Sequence, residues 1–154
     1  MRTLTKIYQP KRDIYEMNYE RLQPFFEVMK ENNLRFLKVK SGDFMDLNID
    51  LLDYNEEKNI TTYSIAHNYI QSDDIMSDPD MEIKVYENAK MVEALTYQQD
   101  NLGIFQRVYP EPGKFYPQVK KELNIFLGKW TKNLKDQGFI KALSNGNFEG
   151  KEKD

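Results

Sequence analysis

The sequence predicts an α+β fold: a curved, mostly antiparallel sheet of five or six strands packed by N- and C-terminal helices. Three observations predict it. Met81, Ile83 and Val85 alternate with Glu82, Lys84 and Tyr86, the period-two signature of a strand with one buried and one wet face. Val119, Leu123, Phe126, Leu127, Trp130 and Leu134 recur every three or four residues, as on one side of an amphipathic helix. Ahead of both, Ser41-Gly42-Asp43 and Asn55-Glu56-Glu57-Lys58-Asn59 separate short apolar runs in the manner of hairpin turns.

Residues 1–12 read as an arm ending in Pro10-Lys11-Arg12. Asp13 is placed to cap a helix carrying Ile14, Met17, Leu22, Phe25, Phe26 and Met29 and ending near Asn32-Asn33. Pro24 has no amide hydrogen, so that helix either kinks there or restarts with Pro24 in a new first turn. Leu34 to Lys40 is a short strand. In the next strand Met45, Leu47, Ile49 and Leu51 oppose Asp46, Asn48 and Asp50.

In the third strand, residues 60–70, Tyr63, Ile65, His67 and Tyr69 share one face, and Thr62, Ser64, Ala66 and Asn68 the other. A long acidic loop, residues 71–80, then crosses to the strand at Met81. Met91 to Tyr97 carries apolar residues in both alternating sets and is expected to lie centrally, with Glu93 either an inward acid or beside a bulge. Ile104 to Tyr109 is the last strand, stopped by Pro110 and Pro112-Gly113. The final helix ends near Gly138. Gly128 within it lowers helix propensity and lets a neighbour pack closely. One domain over 13–143 and a flexible tail over 144–154 complete the division.

At 154 residues the chain suits one domain. Its net charge of −3 gives no general attraction to nucleic acid or anionic membrane. With no cysteine there is no disulfide, thiolate metal site or cysteine nucleophile. No signal peptide is evident, and no run approaches the roughly 20 apolar residues of a membrane span. A cytoplasmic protein is expected.

His67 with Asp73, Asp74, Asp78, Asp80 and Glu82 offers oxygen ligands for magnesium, calcium or manganese, the histidine favouring manganese or iron. The metal candidates are His67, Asp78, Asp80 and Glu82. Asp78 and Asp80 are also the candidate catalytic carboxylates, able to flank a bound substrate. The spacing is neither an EF-hand nor HExxH, and there is no nucleophile elbow, P-loop or dinucleotide fingerprint, so the sequence carries no nucleotide-cofactor signature, and a divalent metal is the one cofactor it offers. Tyr69, Tyr86, Arg107 and Tyr109 are candidates for a binding surface. Arg107 and Tyr109 share a strand face, as in single-stranded nucleic-acid binders that stack bases on aromatic rings. Lys120, Lys121, Lys129, Lys132 and Lys135 are spread around the last helix.

Tyr15-Glu16-Met17-Asn18-Tyr19, Met81-Glu82-Ile83-Lys84-Val85-Tyr86, Tyr109-Pro110 and the Leu123–Phe126–Leu127–Trp130 helix resemble the small bacterial YqiB-like family over most of residues 13–138. The block from His67-Asn68-Tyr69 to Asp78-Pro79-Asp80-Met81-Glu82 is similar to short domains of phage and mobile-element proteins. The resemblance implies a fold and a genomic setting, and it transfers no catalytic motif. The leading expectation is a noncatalytic domain that binds a protein or small-molecule ligand. The alternatives are a small metal- or carboxylate-dependent hydrolase and a single-stranded nucleic-acid binder. Open sheet edges admit a homodimer.

Overall fold

A computed structural model describes residues 13–154, apart from the side chains of Tyr69, Ile70, Gln71, Ile75 and Ser77. The expected arm over residues 1–12 lies outside the described residues.

Helix α1 runs from Ile14 to Glu31. Asp13 caps it, its carboxylate accepting the Tyr15 amide at 2.8 Å. The helix passes through Pro24 as one piece. Leu22, Phe25, Phe26 and Met29 are buried on both sides of the proline. Burying four such side chains contributes about 1.5–3 kcal/mol each, which outweighs the roughly 3 kcal/mol cost of an interior proline.

Eight strands follow, with two further helices: β1 (Leu34–Val39), β2 (Leu47–Asn55), β3 (Ile60–Gln71), β4 (Asp74–Tyr86), β5 (Met91–Ala94), β6 (Thr96–Gln99), β7 (Ile104–Arg107), α2 (Pro117–Asp136), α3 (Phe139–Ser144) and β8 (Phe148–Glu152). They form one open antiparallel sheet in the order β7-β6-β4-β3-β2-β1-β8, with β5 also paired to β4. The helices cover one face. Leu37, Val39, Leu47, Ile49, Tyr63, Ile65, Met81, Ile83 and Val85 point into the core against Leu22, Phe25, Leu127, Trp130 and Phe139. Phe26 stacks on Tyr63 at 4.6 Å between ring centroids. Gly128 brings α1 and α2 together: a Cβ there would lie 2.7 Å from Ile14 Cδ1, and the Arg21 guanidinium donates to the Gly128 carbonyl at 2.7 Å.

Three expectations are corrected. The acidic stretch after β3 is not a long loop. Ser72 and Asp73 take positive φ values of 52° and 69°, a tight two-residue turn that lets β4 begin at Asp74 and pair back along β3. Asp78-Pro79 sits where the register between β3 and β4 shifts, between Ala66↔Asp80 and Asn68↔Ser77. A bulge tolerates a residue with no amide hydrogen.

Met91–Tyr97 is not a central strand either. It breaks at Leu95 into β5 and β6, and among the described residues β5 pairs only with β4. Val92, Glu93 and Ala94 are buried because α2 covers the strand's free edge, where the Asn124 side chain accepts the Ala94 amide at 2.8 Å.

The segment expected as a flexible tail instead supplies β8, paired with β1. Sequence patterning misses it because only Phe148 of its five residues is even half-buried. Backbone pairing holds it, with Lys151 over the Phe36 ring at 5.4 Å and Lys38 near Glu149 at 3.8 Å. No helix among the described residues is long and apolar enough to cross a membrane.

Candidate functional site

The helix-free face of the sheet carries the site. Strand parity sends Glu82, Lys84 and Tyr86 of β4 to this face, because Met81, Ile83 and Val85 are fully buried on the other. Register then sets neighbours beside them: Ser64 opposite Glu82, Thr62 opposite Lys84, Ala66 opposite Asp80, and Asp80 opposite Gln98. Across these residues runs a groove of about 950 Å³, walled by Phe105, Arg107 and Tyr109 together with the turn from Pro110 to Gly113, and edged by Leu52.

Asp80 is a half-buried carboxylate in its floor, and Asp50 outside the lining lies within electrostatic reach of it. Burial pushes Asp80 above the ordinary carboxylate range; the hydrogen bond from Ser64 opposes this and the Asp100 charge adds to it. Burial also raises Asp50 on neighbouring β2, aided by Asp80 and opposed by Arg35 and Lys151. Among the described residues no salt bridge reaches Asp80 or Glu82. The rim is aromatic and apolar: Phe105 is 52% and Leu52 49% exposed, and the Arg107 guanidinium lies 5.2 Å from the Phe105 ring centroid.

One end of the groove is locked by a network the sequence only half revealed. Glu93 is buried opposite Lys84, so of the two placements its sequence position offered it takes the buried one. It accepts hydrogen bonds from the hydroxyls of Tyr86, at 2.8 Å, and Tyr109, and pairs with Lys120 Nζ at 3.2 Å. Lys120 also donates to the Tyr109 hydroxyl at 3.3 Å. Burial, followed by the Glu93 hydrogen bond, raises the Tyr86 phenol well above its ordinary value and raises Tyr109 too, with Lys120 opposing the shift at Tyr109. The network fixes both rings against the groove. Lys120 belongs to this network, unlike Lys121, Lys129, Lys132 and Lys135, which are exposed on α2.

The metal set His67, Asp78, Asp80 and Glu82 is not gathered. His67 lies on the core face, its ring 5.5 Å from Trp130 and 5.6 Å from Phe139. Its Nδ1 faces the Asp46 carbonyl at 3.2 Å and, since a carbonyl only accepts, carries the proton. Burial holds the imidazole below its ordinary value, against hydrogen bonds to the Asp46 and Met45 backbone and the charges of Asp78 and Asp46. Asp80 and Glu82 line the groove on the opposite face. Among the described residues no three His, Asp or Glu side chains stand close enough to hold a metal ion.

The carboxylate pair is also divided. Asp78 acts electrostatically on His67 and Tyr97, which pack toward the helices, whereas Asp80 bonds Ser64 in the groove. Of the surface candidates, Tyr86, Arg107 and Tyr109 line one groove, and the Tyr69 side chain lies outside the described residues. Thr96, Gln98 and Phe105 were missed, because the loop reading of 71–80 concealed how β4 aligns β6 beside it.

Residues 17–140 match the family described as Domain of unknown function (DUF6908), and the chain belongs to that family. No curated protein and no solved structure matches it.

Proposed function

We propose that the protein is a noncatalytic binding domain whose ligand lies in the groove on the open face of the sheet. The observation that carries this reading is a concavity of ligand-binding size in which Asp80 and Glu82 lack a cationic partner among the described residues. A ligand presenting an ammonium or guanidinium group neutralises that floor and relieves the cost of keeping Asp80 ionised. Thr96, Gln98 and Ser64 add hydrogen-bonding positions, and Phe105 and Leu52 give an apolar stem something to pack on. An extended basic peptide has this combination of charge, donors and stems.

The same floor disfavours the nucleic-acid reading, because carboxylates repel phosphates and Arg107 stands alone with Lys84 among them. The hydrolase reading would need its two carboxylates to face one substrate, and Asp78 and Asp80 act on different faces of the sheet. A cytoplasmic setting and kinship with YqiB-like or mobile-element proteins belong to the proposal as its biological context.

The test is fluorescence anisotropy with labelled arginine-rich, glutamate-rich and single-stranded DNA probes. The reading predicts saturable, salt-sensitive binding of the basic peptide, weakened at least tenfold by Asp80→Asn with Glu82→Gln. Preferential binding of DNA, or equal affinity for the double variant, would overturn it.

A further inference from the structure

We infer that the chain pairs with a second copy of itself along the free edge of β7, in antiparallel register about Gln106. This goes beyond the groove reading and stands without it. β7 and β8 are the outer strands of the sheet, and their edges differ. β8 carries Glu149, Lys151 and Glu152 among its five residues, the kind of charged edge that discourages a further strand. β7 is Ile104-Phe105-Gln106-Arg107, exposed throughout, with one charge, no proline, and Leu102 exposed just before it. Among the described residues nothing pairs with its outer side.

Hydrogen bonding fixes which groups that edge offers. The Val108 amide donates to the Leu95 carbonyl at 2.9 Å, and Thr96 stands opposite Arg107. Bonded and non-bonded pairs alternate in an antiparallel ladder, so Tyr97↔Gln106 and Gln99↔Ile104 exchange the bonds between β6 and β7. The amide and carbonyl groups of Phe105 and Arg107 therefore point outward. A two-fold axis at Gln106 sets Phe105 against the partner's Arg107, and Arg107 against the partner's Phe105, and satisfies all of these groups. Each guanidinium then lies beside two phenyl rings, extending the contact of Arg107 with Phe105 at 5.2 Å, and like charges stay diagonal. An axis at Arg107 would oppose the two arginines. An axis at Phe105 would set Arg107 against the partner's Gly103, where it gains no ring.

A basic peptide bound over Asp80 does not use this edge. A strand added to β7 stands about 14 Å from β4 at the usual spacing, farther than a lysine or arginine side chain reaches. The edge is left for the second copy. With four residues per strand the seam is small, so the dimer is weak and forms at high protein concentration.

The chain has no cysteine, so single cysteines report the seam. At the axis Gln106 meets its own copy as a non-hydrogen-bonded pair, with Cα atoms about 4.5 Å apart and within disulfide reach. In a glutathione redox buffer, Gln106→Cys should form the disulfide dimer roughly tenfold faster than Glu149→Cys on β8. Adding Phe105→Pro removes an outward amide and no bond to β6, whereas adding Phe105→Lys sets a lysine against the partner's Arg107. Each should bring the rate down to that of Glu149→Cys. Equal rates for the two cysteines, or a fast rate that survives both edge changes, would overturn the pairing. Asp80→Asn with Glu82→Gln should leave the rate unchanged, which separates the seam from the groove. If an arginine-rich peptide suppresses cross-linking in that double variant, the edge takes a peptide strand and the pairing between copies fails.

Discussion

Ser64 on β3 donates its hydroxyl to the carboxylate of Asp80 on β4 at 2.9 Å, holding the acid half-buried in the floor of the groove. The bond opposes the effect of burial without cancelling it, so Asp80 keeps a raised pKa. A charge held in this way costs stability, and a bound cation would recover that cost.

Asp80→Asn is therefore expected to stabilise the fold while weakening binding. The folded-state pKa lies above the ordinary 3.8, so the native state holds the proton more tightly than the unfolded chain. Stability falls as pH rises from about 3.8 through the folded pKa, and the deficit persists at neutral pH. The variant should melt a few degrees higher than wild type at pH 7, in keeping with a small stability gain in a domain of this size. The difference should vanish below about pH 3.8. A lower melting temperature at pH 7 would show that the Ser64 bond outweighs desolvation.

Removing Glu93 should act in the opposite direction. Glu93→Ala leaves the Tyr86 and Tyr109 hydroxyls and the Lys120 ammonium without their shared acceptor. The expected loss is about 2–4 kcal/mol by urea denaturation, with Tyr109→Phe costing about 1–2 kcal/mol. A loss below about 1 kcal/mol for Glu93→Ala would mean that the three donors find other partners.

His67 should titrate late on acidification. Its folded pKa lies below 6.5, so the unfolded chain takes up the proton first. The stability it contributes is full above pH 6.5 and is lost as pH falls toward the folded value. Trp130 is the chain's single tryptophan and stands 5.5 Å from the imidazole. Its fluorescence should therefore change with a midpoint below 6.5, and His67→Gln should remove that step. A midpoint at or above 6.5 would contradict a buried histidine.

Gly150→Ala should loosen β8 and little else. A Cβ at that position meets the Phe36 backbone oxygen at 2.9 Å and Leu34 Cδ1 at 2.6 Å, and the backbone cannot step aside without disturbing the pairing with β1. A cost of about 1–3 kcal/mol follows, with faster hydrogen exchange at Phe148–Glu152. Unchanged protection there would mean that β8 shifts register freely.

The parity of β3 and β4 was legible in the sequence: it set Glu82, Lys84 and Tyr86 against Met81, Ile83 and Val85, and Ser64 on the face away from His67. The N-terminal cap at Asp13 and the buried stripe of α2 were equally plain, since period and capping are local. Two other features depended on distant pairing. Ser72-Asp73 turns tightly because both residues accept the left-handed conformation, but an acidic stretch with Pro79 in it reads as loop until β3 is set beside it. Phe148–Glu152 pairs with β1 through backbone groups, and its charged side chains carry no period. His67 shares a sequence neighbourhood with Asp80 and Glu82 yet faces the core, so proximity along the chain suggested a metal set that strand parity separates.

The central claim is that the groove is the binding site, and amide mapping by NMR during titration with an arginine-rich peptide tests it most directly. The account predicts saturating shifts clustered on Ser64, Asp80, Glu82, Thr96, Gln98 and Phe105, with Lys121, Lys129 and Lys132 on the far side unmoved. Shifts centred on the exposed face of α2, or none at saturating peptide, would contradict it.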